Sequence, residues 1–105
     1  MRYLLLISAD EDTVPGAMAG FPAWLADLEA RGVLEMHAGL HPSPTATTVR
    51  VRDDETLLTD GPFAEGREQV GGFALLNCAD LDEAIAIAAA HPAARFGQVE
   101  IRPVR

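Results

Sequence analysis

Two stretches of this chain are apolar without alternation, and they do most to limit what it can fold into. Tyr3-Leu4-Leu5-Leu6-Ile7 ends at the acidic stretch 10–12, and residues 70–78 (Val-Gly-Gly-Phe-Ala-Leu-Leu-Asn-Cys) follow a Gly- and Pro-rich loop. Each predicts a strand covered on both faces, as at the centre of a sheet. Residues 33–40 and 97–103 alternate instead. Leu34, Met36, Ala38 and Leu40 fall opposite Val33, Glu35, His37 and Gly39, while Val99 and Ile101 fall opposite Gln98, Glu100 and Arg102. Those segments predict half-buried flanking strands.

Two helices lie between them. Pro22 suits the first position of a helix, Trp24, Leu25 and Leu28 give it an apolar stripe, and Gly32 after Arg31 ends it. Asp80 with Glu83 three residues later opens the second, which presents Leu81, Ala84, Ile85 and Ala88 and stops at His91-Pro92. Residues 46–52 and 56–59, joined by Asp53-Asp54-Glu55, predict a hairpin. The order β-α-β-(hairpin)-β-α-β over residues 1–105 predicts one α+β domain of ferredoxin-like arrangement. Both helices then cover one face of the sheet. Either Tyr3, Leu5 and Ile7 or Leu4 and Leu6 would be left on the other face, a large apolar patch with Phe73 or Leu75. A second copy packed sheet against sheet removes that patch, so a homodimer is expected.

Charge narrows the partners. Sixteen carboxylates stand against eight arginines and no lysine, a net charge of -8. That excludes a general nucleic-acid backbone binder and a polybasic membrane contact. Apolar residues make up 49% of the chain, which argues against disorder in spite of the charge. The start of the chain does not read as a signal peptide, so a cytoplasmic location is expected. The single cysteine, Cys78, reads as a small buried hydrophobe. His37-x3-His41 lies on strand and turn rather than on one helix face, and no zinc, P-loop or dinucleotide pattern is present. No metal or cofactor is expected.

From Thr47-Thr48-Val49-Arg50 through Asp60-Gly61-Pro62-Phe63-Ala64-Glu65, Glu68-Gln69 and Gly71-Gly72-Phe73, the chain resembles the DGPF-motif branch of the YCII-related family. The segments Asp80-Leu81-Asp82-Glu83-Ala84, His91-Pro92-Ala93-Ala94-Arg95 and Val99-Glu100-Ile101-Arg102-Pro103-Val104 extend the resemblance over nearly the full length. It implies a dimeric α/β barrel. Some related proteins are thought to use a His–Asp pair in a cleft, one of them as a dehydrochlorinase of a chlorinated hydroxyquinol. Members of the branch are often linked genetically to extracytoplasmic-function sigma factors. The chain departs from the enzyme-like members at Phe21-Pro22-Ala23-Trp24-Leu25, where Trp24 stands in place of a histidine on the first helix.

Asp60 heads a D-G-P-F turn, where its carboxylate is expected to accept backbone N–H bonds at the rim of a cleft shared with His37 or an arginine. That cleft is expected between the open sheet face and the 60–69 loop. His37, on the polar side of its strand, is the candidate acid/base partner of Asp60. Phe63, Glu65 and Arg50 are candidate ligand contacts. Arg50 and Arg52 also fit a solvated ion-pair face with Asp53, Asp54 and Glu55. His91, at a helix end, reads as structural, its imidazolium favoured by the helix dipole, and Trp24 as core. Three readings follow: a small-molecule cleft protein, a non-catalytic partner in sigma-factor-linked regulation, and an enzyme resembling a cofactor-independent oxygenase or the dehydrochlorinase.

Overall fold

A computed structural model describes residues 1–13, 16–63 and 66–105. The first apolar run becomes β1 (Arg2–Asp10) and the second β5 (Glu68–Asn77). They pair with each other in the middle of an antiparallel four-stranded sheet. The alternating segments become the edges, β2 (Leu34–Gly39) against β5 and β6 (Gln98–Pro103) against β1. The order β2-β5-β1-β6 is that of a ferredoxin-like α+β fold.

Helix α1 (Phe21–Arg31) carries Pro22 in its first turn. It ends at Gly32, whose φ of 69° is left-handed and whose N–H bonds back to Leu28 and Glu29 carbonyls. Helix α2 (Leu81–Ala90) is capped by the Asp80 carboxylate, which accepts the Glu83 N–H at 2.9 Å. Trp24 and Leu28 of α1 meet Ala84, Ile87 and Ala88 of α2 over Tyr3, Leu5, Ala74 and Leu76, and Cys78 is buried among them. Tyr3 and Leu5 therefore face the helices. Leu4 and Leu6, paired with Leu75 and Phe73, face the other side. The buried stripe of α2 differs from the expected one, because Leu81 and Ile85 are each 48% exposed and Ile87 is inside. Leu-Asp-Glu-Ala-Ile-Ala-Ile-Ala-Ala-Ala is apolar almost all round, so packing rather than pattern selects the stripe.

Two irregularities shape the sheet. β2 shifts register between Leu34 and Met36, and β1 between Ile7 and Ser8 where β5 skips Gly71. The first shift reverses the expected facing of β2. Met36 pairs with Leu75 on the open side, and His37 pairs with buried Ala74 on the helix-covered side.

The hairpin β3 (Thr47–Arg52) and β4 (Glu55–Asp60) forms a separate two-stranded sheet. Asp53 and Asp54 turn it with φ of 51° and 62°, the left-handed pair of a type I′ turn. The hairpin is exposed almost throughout, and the molecule measures 47 × 35 × 18 Å. The radius of gyration is 15.6 Å, against about 13 Å for a compact domain of this length. No helix of the described residues is long and apolar enough to cross a membrane.

Candidate functional site

A cavity of about 420 Å³ opens on the helix-covered side of the sheet, where β1, β2 and β5 run past the first turns of α1. Part of its floor, beside Ile7 and Ala74, is backbone alone. Gly39 of β2 and Gly72 of β5 face each other across the ladder, and a Cβ at Gly72 would lie 3.0 Å from the Ala38 carbonyl oxygen. The close approach thus selects glycine and leaves space above it. Phe21 and Trp24 roof that space, their rings stacked at 26° with centroids 6.0 Å apart. His37 stands at one wall, 6.3 Å from Phe21. His91 stands at another, 5.8 Å from Phe21 and 4.6 Å from Trp24 at 78°.

His91 is the unusual residue of the group. It follows Ala84 and Ala88 on the buried stripe of α2, and Pro92 forces its backbone into an extended conformation that ends the helix. The residue is 1% exposed, and Nδ1 accepts the Ala93 N–H at 2.9 Å. The proton of the neutral ring is therefore on Nε2. Nε2 has no hydrogen-bond partner among the described residues. Burial lowers the His91 pKa from its ordinary value near 6.5, so the ring is held neutral rather than as the expected imidazolium. A buried N–H without an acceptor costs about 1–3 kcal/mol.

That lowered pKa sets a pH dependence. Unfolded chains take up a proton near pH 6.5, whereas the folded ring resists it. The contribution of His91 to stability is complete above that pH and declines as pH falls from there towards the lowered folded value. Urea midpoints measured from pH 7.5 to 5.5 are expected to fall, with the slope flattened in His91→Phe; an equal slope in both would remove His91 as its source. The Cys78 thiol is pushed up by burial, in keeping with its place in the core.

Asp10 and Glu11 edge the cavity, and each is tied to a neighbouring segment. Asp10 meets Arg67 at 3.3 Å. Glu11 accepts the Ser43 backbone N–H at 2.7 Å and the Ser43 hydroxyl. These two hydrogen bonds lower the Glu11 pKa.

Of the site residues singled out from sequence that are among the described residues, only His37 reaches this cavity, and it does so from the helix-covered side rather than the open one. Asp60 is exposed at the end of β4. The turn after it is closed without its carboxylate: the Gly61 N–H donates to Ala46 at 2.7 Å, and the Thr48 hydroxyl donates to the Gly61 carbonyl at 2.9 Å. Phe63 is 80% exposed and lines a second hollow, of about 500 Å³, with Leu40, Pro62 and Val70. Arg50 is an exposed residue of the hairpin strand β3. Glu65 lies outside the described residues. Among the described residues no group of three His, Cys, Asp or Glu side chains is placed to hold a metal ion. Trp24 is core, as expected, with its indole N–H donating to the Ile87 carbonyl at 2.9 Å, and it is also part of the roof.

A sequence profile for the YCII-related domain matches residues 1–105. The chain belongs to the YCII-related family. An uncharacterised protein of Rhizobium meliloti (strain 1021) is 44% identical to this YCII-related chain over 77 residues, which are 70% of this chain and 60% of that protein. The match thus spans less than two thirds of that relative's length. Among solved structures, 5-chloro-2-hydroxyhydroquinone dehydrochlorinase from Burkholderia phenoliruptrix AC1100, in complex with 2,5-dihydroxybenzoquinone, superposes with a TM-score of 0.58. The two are 14% identical, and the likeness covers 100% of this chain and 94% of that one. At that identity the likeness concerns the fold. His91 brings an imidazole to the Trp24 ring from the far end of α2.

Proposed function

We propose that this YCII-related protein binds a small, largely apolar molecule in the cavity under Phe21 and Trp24, and that it does so as a homodimer joined through its open sheet face. One observation carries the reading: a buried imidazole N–H without an acceptor among the described residues, at the wall of a largely apolar cavity. The space is of the size that small-ligand sites use, about 300–1,000 Å³. The dehydrochlorinase of the same fold was captured with a benzoquinone, and a ring of that size fits a cavity of about 420 Å³. The chemistry available is proton movement. A neutral N–H fixed in a desolvated site stabilises charge developing on an oxygen, and His37 is the second group at the wall that can take or give a proton. In this reading the DGPF stretch at 60–63 belongs to the hairpin end, and Asp60 acts outside the cavity.

The cavity is tested by filling it. A Cβ at Gly39 would meet nothing closer than the Gly71 carbonyl oxygen at 3.9 Å, so a side chain is tolerated there and points into the space. Small aromatic probes titrated into 15N-labelled protein are expected to shift the amides of Gly39, Gly72, Phe21 and His91. Gly39→Leu is expected to weaken that binding by about tenfold or more while the spectrum stays folded. Probe shifts confined to the open sheet face, or unchanged binding by Gly39→Leu, would overturn the proposal.

A further inference from the structure

The shape and the electrostatics of the cavity together say more about its occupant. The floor at Gly39 and Gly72 carries no side chains, and the roof is a pair of stacked rings. The gap between backbone and ring faces suits a flat molecule. No arginine is among the described residues that line it, and the acidic groups at its mouth, Asp10 and Glu11, already have partners in Arg67 and Ser43. An anion entering past them gains no ion pair and meets a chain of net charge -8. Inside, the buried donor left unsatisfied among the described residues is on His91, whose Nδ1 is committed to Ala93 and whose Nε2 is unused. Resting on this cavity as the binding site, we infer that the ligand is an uncharged planar ring compound bearing a carbonyl oxygen, which accepts the Nε2–H of His91.

The Trp24 and Phe21 rings lie edge-on to the His91 imidazole, and Nε2 is buried without a partner among the described residues. Phe21 is only half-buried, so a turn of its side chain exposes the donor to a ligand oxygen and keeps the second ring as a stacking surface. Burial favours the neutral imidazole, which donates without carrying a charge. A site of this kind prefers a carbonyl compound to a hydrocarbon of the same shape, because only the carbonyl satisfies the orphan N–H.

Three probes of nearly equal shape separate the possibilities: acetophenone, α-methylstyrene and benzoate, each titrated at pH 7.5 into the intact protein. Acetophenone is expected to bind about tenfold more tightly than either of the others. In the wild-type protein the Nε2–H proton resonance of His91 is expected to move downfield with acetophenone and to stay in place with α-methylstyrene. His91→Phe is expected to bring acetophenone down to the affinity of α-methylstyrene. The wild-type resonance keeps the test decisive even where that variant fails to fold. Equal binding of all three probes overturns the inference and leaves the cavity reading standing, as does tightest binding of benzoate. An unmoved Nε2–H in the presence of bound acetophenone overturns it too. Absence of cavity shifts with every probe overturns the binding site itself.

Discussion

Gly97→Ala is expected to destabilise the protein by about 3 kcal/mol, enough to lower the thermal midpoint by on the order of 15 °C. Gly97 precedes β6 and donates its N–H to the Ala93 carbonyl at 2.7 Å, which turns the chain out of the segment 92–95 into the sheet. At this turn the backbone presses on β1. A Cβ on Gly97 would overlap the Ser8 carbonyl oxygen and lie 2.9 Å from the Ala9 Cα and 3.0 Å from the Ala9 Cβ. These neighbours belong to a central strand, and they yield only if β6 moves away from β1. Ala9 and Phe96 also line the cavity, so the displacement reaches the site. The entropy gained by removing a glycine from the unfolded chain, about 0.4–1 kcal/mol, does not offset this. Gly71→Ala is the matched control, because a Cβ there has nothing within 4 Å. Urea denaturation of both variants measures the difference. A Gly97→Ala midpoint equal to that of Gly71→Ala would show that the close approach is not a constraint.

That contact illustrates what the sequence carries and what it does not. The doubly apolar runs at 3–7 and 70–78 predict the central pair of strands, and β1 and β5 occupy that place. Asp80 with Glu83, Pro22 and Gly32 predict their helix ends because caps are local chemistry. The face of His37 was not legible. Alternation from Leu34 puts Met36 on the inside and His37 opposite, and a single register shift after Leu34 exchanges the two. Such a shift is decided by the partner strand. The stripe of α2 is hidden in the same way, since an alanine-rich helix offers several faces of equal hydropathy. His91 had a signal: it extends the Ala84–Ala88 spacing by one further turn and precedes a proline. The sequence reading of a structural helix-end imidazolium holds for its place but not for its charge, because burial against Trp24 favours the neutral ring. Nothing in the sequence marks Gly39 and Gly72 as partners, and their pairing across the ladder is what leaves that part of the cavity floor open.

Met36→Glu is expected to convert a homodimer into monomers, raising the dissociation constant by about a hundredfold or more. In β2, Met36 is 57% exposed and sits beside Leu75, which with Phe73, Leu4 and Leu6 forms the apolar side of the sheet that no helix covers. The hairpin adds Val49, Val51 and Leu58, each more than half exposed. Val49 and Leu58 are cross-strand partners and Val51 is two residues along, so the three share one face. An isolated two-stranded hairpin is marginal in water and needs a covering surface. In the proposed homodimer a second copy docked by two-fold symmetry supplies that cover, and the same symmetry brings the introduced carboxylate into the interface twice, once from each protomer. In the free chain the new carboxylate is solvated, so the fold itself loses little. Leu5→Glu behaves differently, because Leu5 is fully buried between the sheet and the helices, and it is expected to unfold the chain rather than separate protomers. Sedimentation at micromolar concentration distinguishes the cases. A wild-type protein that sediments as a monomer, or a Met36→Glu variant that stays dimeric, would sink the open-face interface. The cavity lies on the opposite side of the sheet from Met36. Monomeric Met36→Glu is therefore expected to keep the aromatic-probe binding that Gly39→Leu loses, which separates assembly from ligand recognition in one pair of variants.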